Sequence, residues 1–261
     1  MTQLAAVDSN KEKPVAKTKK QARRVDFILQ GKGGVGKSLI ASIIAQYLKT
    51  QYSEVVCLDT DPVNQTFSNY EELGATFVPI LVGSKIDERK FDGMMEQILT
   101  AESGSFVIDN GASTFIPLTS YMNENSVVEV LEEAGYEVYF HTVVTGGQAL
   151  VDTMSGFKAL AEMTKSKNII VWLNEYFGAV EHSGKTFLDM KAYKDLESRV
   201  RGVIVLHKRN PDTFGKDFDE MTSRKLVFSQ AIADPAFSLM AKQRLKTVQK
   251  DIFAQIEKIG F

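Results

Sequence analysis

The octapeptide Gly31-Lys32-Gly33-Gly34-Val35-Gly36-Lys37-Ser38 holds the residue types needed to grip a polyphosphate. Its frame, Gly31-x-x-x-x-Gly36-Lys37-Ser38, fits a phosphate-binding loop, in which glycines let the backbone wrap closely enough for its N–H groups to face anionic oxygens. On this reading the backbone of Gly31, Gly33, Gly34, Val35, Gly36 and Leu39 cradles a nucleotide. Lys37 reaches its β- and γ-phosphates, and the Ser38 hydroxyl ligates Mg2+. Magnesium keeps several waters and recruits only one or two carboxylates, so an acidic group at a second strand end is required. Asp109, after Phe106-Val107-Ile108, fits that role, with a helix or turn cap as the plain alternative. Asp59 and Asp61, two residues apart, are expected on one side of their strand. That placement suits one carboxylate near the metal and one near an attacking water, although Asp61-Pro62 is equally good turn chemistry. Lys32 is one lysine more than such a loop needs.

These residues must be positioned by strands that end where they begin. Six short apolar runs, VDFIL, VVCL, FVI, YEVYF, IIVWL and GVIVL, read as strands. Between them Ile40, Ile43, Ile44, Tyr47 and Leu48 recur at helical spacing, as do Val127, Val130 and Leu131, then Leu150, Met154, Phe157 and Leu160. The alternation predicts an α/β single domain built as a P-loop NTPase, with a mostly parallel twisted sheet and helices on both faces. Small and polar residues follow the first five runs (GKGGVGKS, DTDP, DNGAS, TVVTGG, NEYFG), at the strand ends where open α/β sheets bind ligands.

The chain has 261 residues, 44% hydrophobic and 25% charged, values ordinary for a soluble globular protein. Its single cysteine, Cys57, excludes an internal disulfide and suits a reducing compartment. MTQLAAVDSN lacks the apolar core of a signal peptide, and no apolar run approaches membrane-spanning length, so a cytoplasmic location is expected. Residues 1–24 carry seven basic side chains against Asp8 and Glu12, a local +5 within an overall −2. With almost no bulky apolar residues this stretch is expected to be a disordered basic tail, leaving 25–261 as the domain. The tail reads either as a solubilising extension or as an electrostatic arm for DNA or an anionic membrane.

The loop GKGGVGKS, with lysine directly after its first glycine, resembles the deviant Walker A loop of the ParA and MinD type of ATPases. The blocks IDNGASTFIPLTSYM, HTVVTGGQALVDTMSGF, VWLNEYFGAVEHSGKTFLDMKAY and FSQAIAD extend the likeness. They resemble the TraL proteins of conjugative plasmids, a branch of the same ATPases, from about residue 25 to near the C-terminus. The resemblance implies an ATPase using ATP and Mg2+ in plasmid conjugal transfer or maintenance, a homodimer on ATP binding, and a protein partner in the conjugation apparatus. It implies that Lys32 crosses the dimer interface to the partner's nucleotide, acting like an arginine finger. It makes Asp59 the switch I metal-shell aspartate, Asp61 the water-positioning one, Asp109 the Walker B aspartate and Asn174 the reader of the adenine edge. An asparagine amide supplies the donor and acceptor that adenine needs. Two departures stand out: Leu39 occupies a position usually held by Thr or Ser, and DNGAS replaces the usual D-x-P-A-G. Both lie beside the γ-phosphate, and a slow intrinsic rate is expected.

Two other functions fit the same residues. One is a plasmid-partition ATPase that holds DNA through basic segments; the other is a nucleotide-gated binding module with little turnover. In the last helix Leu245, Val248, Ile252, Ile256 and Ile259 form an apolar face while Lys242, Lys246 and Lys250 line another. Such a helix docks on its own domain or meets a membrane surface or partner, so peripheral membrane and nucleoid association both stay open. His141, His182 and His207 are too far apart in the chain for a zinc site. One cysteine is too few for an iron-sulfur bridge, and Cys57 and Trp172 read as core. Asn174-Glu175 does not match the Asn-Lys-x-Asp of a GTPase.

Overall fold

The computed structural model describes residues 23–102 and 104–260. Seven parallel strands form the central sheet: β1 (Arg23–Ile28), β2 (Val55–Asp59), β3 (Thr76–Phe77), β4 (Gly104–Asp109), β5 (Glu137–Thr145), β6 (Ile169–Asn174) and β7 (Val200–Leu206). Their order across the sheet is β7-β6-β5-β1-β4-β2-β3. All six apolar runs are strands; the two-residue β3, an edge strand, has no run long enough to read. Two small hairpins, at Leu81–Val82 with Lys85–Ile86 and at Glu181–His182 with Lys185–Thr186, lie outside the sheet.

The helices are α1 (Lys37–Gln51), α2 (Lys90–Thr100), α3 (Phe115–Glu124), α4 (Val127–Glu133), α5 (Leu150–Thr164), α6 (Lys191–Leu196), α7 (Lys216–Ser223), α8 (Phe228–Ala233) and α9 (Leu239–Ile259). Alternate residues of β1 serve two cores. Val25 and Phe27 face a layer built from α2, α3, α4 and α5, whereas Ile28 faces Ile40, Ile44, Phe228 and Leu245 of α1, α8 and α9. Both faces being covered, the strands read as continuous apolar runs. The last helix docks on its own domain: Ala241, Leu245, Val248, Ile252 and Ile256 are buried, and α9 lies so close to β7 that a Cβ on Gly202 would meet Ile259 at 2.6 Å. Among the described residues no helix is long and apolar enough to cross a membrane.

One boundary needs correcting. Residues 1–22, most of the expected tail, lie outside the described residues, but Arg23 and Arg24 belong to β1 rather than to a tail. Arg23 donates to the Ala134 and Glu102 carbonyls. Arg24 is buried and grips both oxygens of Asp26 in a forked pair at 2.6 Å. The Arg24 and Asp26 charges lie inside because each finds a partner: Asp26 also accepts from His141 Nε2 (2.8 Å), and Trp172 Nε1 donates to His141 Nδ1 (3.0 Å). Burial lowers the His141 pKa, keeping the imidazole neutral, which matches a ring that donates at one nitrogen and accepts at the other. Burial alone would raise the Asp26 carboxyl, yet Arg24 and His141 hold it below its usual range. Trp172 is core, as expected, with its polar edge satisfied here. Cys57 is a buried thiol pushed up to about 12, by burial first.

Candidate nucleotide-binding site

Sheet register assembles the site. Ile28 pairs with Asp109 on one side, and Asp109 pairs with Asp59 on the other, so the last residues of β1, β4 and β2 stand abreast. Asn174 is level with Thr145 and Leu206 in the same way. Asp59, Asp109 and Asn174 therefore come to the carboxyl edge of one sheet.

The glycine-rich loop runs from β1 into α1. Gly36 has φ +103°, a left-handed conformation that favours glycine, and a Cβ there would sit 3.1 Å from the Asn174 amide nitrogen. Lys37 is almost wholly buried, and its ammonium donates to the Lys32 carbonyl at 3.1 Å. Burial lowers its pKa while Asp109 and Asp61 oppose the shift. Gln30 anchors the start of the loop: its amide donates to the Val143 (2.7 Å) and Thr153 (3.1 Å) carbonyls and accepts from the Lys32 N–H at 3.4 Å.

Asp109 is 1% exposed, and neither carboxylate oxygen has a hydrogen bond of normal geometry among the described residues. Burial pushes this carboxyl up to about 7, against the neighbouring Ser38 hydroxyl and Lys37 ammonium. A buried acid without donors is costly and unusual. A divalent cation held by the Ser38 hydroxyl and Asp109, both hard oxygen donors, is a group these residues fit.

The other two aspartates are already engaged. Asp59, fully buried, accepts from the Asp61 N–H (2.9 Å), the Ser68 N–H (2.9 Å) and the Ser68 hydroxyl (3.1 Å). Asp61 lies beyond β2, so the two do not share a strand face as expected; a loop hydrogen bond joins them instead. The Asp61 carboxylate accepts from the Val63 (2.9 Å) and Asn64 (3.2 Å) N–H groups, the turn chemistry of an Asp-Pro start. It also packs against the loop after β4, where a Cβ on Gly111 would fall 2.8 Å from its carboxyl carbon. The DNGAS glycine thus lets the two loops close on each other.

Lys32 turns outward and pairs with Asp152 of α5 at 2.8 Å, both side chains about half exposed. Asn174 donates to the Val35 carbonyl (3.0 Å) and accepts from the Tyr176 N–H (3.1 Å). One N–H and one lone pair remain for a ligand. Two cavities open over the loop. One, of about 780 Å³, runs past Lys37, Ser38, Asp61 and Ser113; the other, of about 550 Å³, lies between Asn174, Leu206, Pro211 and Phe214. Leu39 belongs to both walls. Asp59 and Asp109 are in neither.

Sequence reasoning missed Asp152, Gln30 and Tyr70, a buried tyrosine in the larger cavity whose phenol burial holds above its usual range. Nothing in their local patterns marks them, since each acts across a long sequence gap.

Residues 26–234 match the CobQ/CobB/MinD/ParA nucleotide binding domain. Over 235 residues, 90% of this chain and 97% of the relative, the chain is 46% identical to Protein TraL of Escherichia coli. Its fold is similar to the MinC:MinD cell division protein complex of Aquifex aeolicus, with TM-score 0.52, 16% identity and coverage of 88% of this chain and 96% of that one. A Borrelia burgdorferi plasmid partition protein bound to AMPPNP is similar at TM-score 0.50 and 16% identity, covering 90% and 98%. With its loop, register and matched span in agreement, the chain belongs to the CobQ/CobB/MinD/ParA nucleotide-binding family and, within it, to the group of TraL proteins.

Proposed function

We propose that this protein is a Mg-ATP-dependent ATPase that dimerises on ATP and serves plasmid conjugal transfer or maintenance. The observation that carries the reading is the pairing of a buried Lys37 under the glycine loop with an unbonded Asp109 carboxylate beside Ser38. Likeness to TraL proteins supplies the conjugative setting. When bound, Mg2+ neutralises charge on the phosphates. Lys37 and the loop N–H groups hold the β- and γ-phosphates, while Ser38 and Asp109 face the metal. Asp59 takes part chiefly by bracing the 61–68 loop, its oxygens being occupied there. Asp61 holds water only after its own turn loosens, consistent with slow turnover. Asn174 offers its remaining donor and lone pair to the adenine edge. Lys32 acts across the dimer once it leaves Asp152.

A nucleotide-gated module with little turnover is the second reading, favoured by Asp61's engagement in its own turn. Light scattering with steady-state phosphate release separates the two. Wild type is expected to dimerise with Mg-ATP and release phosphate slowly; Lys32→Ala is expected to bind ATP but lose dimer-dependent turnover. Asp61→Ala is expected to accumulate as an ATP-bound dimer. If Asp61→Ala stays monomeric at saturating ATP, the dimerising reading fails; if wild type dimerises without turnover, the module reading replaces it.

A further inference from the structure

We infer that α7 carries the ribose contact of the bound nucleotide, with the Asp219 carboxylate accepting from the sugar's vicinal hydroxyls and the Thr222 hydroxyl beside it. This rests on the ATP reading above. The two cavities meet along a seam, where Gly34, Gly36, Leu39, Asp219 and Thr222 belong to both walls. From the seam one cavity continues to Lys37 and Ser38, where phosphates belong, and the other to Asn174 and Phe214, where a base fits. A nucleotide has its sugar between base and phosphates, so a ligand filling both cavities places the ribose at the seam.

The seam's polar side chains are Asp219 and Thr222, three residues apart and thus neighbours on the helix surface. Thr222 donates its hydroxyl proton to the Asp219 carbonyl at 3.2 Å, leaving its oxygen to accept. Charge pairing singles out Asp219 further. Nearby Asp212, Asp217 and Glu220 pair with Lys216, Arg244 and Arg224, and Asp251 across the smaller cavity pairs with Arg209. Among the described residues the Asp219 carboxylate makes neither an ion pair nor a side-chain hydrogen bond. It stands exposed on the wall of both cavities. A bare carboxylate repels a triphosphate, but its two oxygens match the two O–H donors of a vicinal diol, the arrangement by which acidic residues hold ribose in dinucleotide sites.

Equilibrium binding of ATP, 2′-deoxy-ATP and 3′-deoxy-ATP in Mg2+ tests this on wild type, Asp219→Ala and Asp219→Asn. Wild type is expected to prefer ATP over each deoxy analogue by about tenfold, the worth of one hydrogen bond to a charged group. Asp219→Ala should bring both ratios near one, and Asp219→Asn, which keeps one acceptor, should fall between. Relief of charge repulsion acts on all three nucleotides alike and cancels in the ratio. Equal affinities in wild type, ratios unmoved in Asp219→Ala, or uniform loss of all three nucleotides in that variant would overturn the ribose contact alone. No nucleotide binding by wild type would overturn the ATP reading and this inference with it.

Discussion

Asp109→Asn tests the metal side of the site through stability, without any need for turnover. In the metal-free, nucleotide-free protein Asp109 has a pKa of about 7 against 3.8 for an ordinary aspartate. The fold therefore binds a proton that the unfolded chain releases. A raised folded pKa means that the group's contribution is full below pH 3.8 and is lost as pH rises through about 7. Three units correspond to about 4 kcal/mol, spread over that window. Asparagine has nearly the same shape and no charge, so it escapes this loss; its buried amide, if unpaired, costs about 1–3 kcal/mol in return. The variant should therefore be more stable than wild type by about 1–3 kcal/mol at pH 8. Near pH 4.5 the order should reverse. Urea unfolding of both proteins in EDTA, from pH 4.5 to 8.5, reads the difference directly. Asp26 and His141, whose depressed pKa values cost stability as pH falls, are common to both proteins and drop out of the comparison. Mg-ATP should stabilise wild type through mass action and the variant much less. A variant less stable at pH 8, or a difference that does not change with pH, would refute the idea that Asp109 is a strained acid waiting for a cation.

Three more outcomes follow from other contacts. Asp152→Ala removes an exposed ion pair worth at most about 1 kcal/mol, so the melting temperature should barely move, and ATP-driven dimerisation should sharpen by no more than about fivefold; a larger gain in a light-scattering titration would mean that Asp152 restrains more than Lys32. Asp26→Ala leaves the buried Arg24 guanidinium without its forked partner and should cost about 3–5 kcal/mol in urea unfolding. Gly146→Ala puts a Cβ 2.3 Å from the Gly178 and Ala179 carbonyl oxygens, so the loops after β5 and β6 must part; a loss of more than about 2 kcal/mol and weaker ATP binding through a displaced Asn174 are expected, checked by calorimetry.

Those contacts also mark where sequence stops being informative. The glycine-rich loop could be read because its pattern is local: Gly31, Gly36, Lys37 and Ser38 fall within one strand-to-helix turn, and neither spacing nor residue type leaves much choice. Asp109 and Asn174 could be placed because each directly follows an apolar run, and parallel register carries such ends to one edge. Asp61 was harder. The period-2 rule assumes that a strand continues, whereas β2 stops at Asp59 and the next residues turn, so the Asp61 N–H donates to the Asp59 carboxylate and the two carboxylates share no strand face. Arg24 was misread for a related reason. Two arginines after a lysine-rich stretch look like more tail until Asp26 and, 115 residues on, His141 are seen to hold that charge inside the sheet. Asp152, Gln30 and Asp219 carry no local signature at all: their meaning comes from the parking of Lys32, the anchoring of its backbone and the seam between two cavities. Each depends on loops that only the folded sheet brings together. Local chemistry thus marks the glycine-rich loop and its lysines, while the Lys32–Asp152 pair and the seam beside Asp219 are written in tertiary contacts.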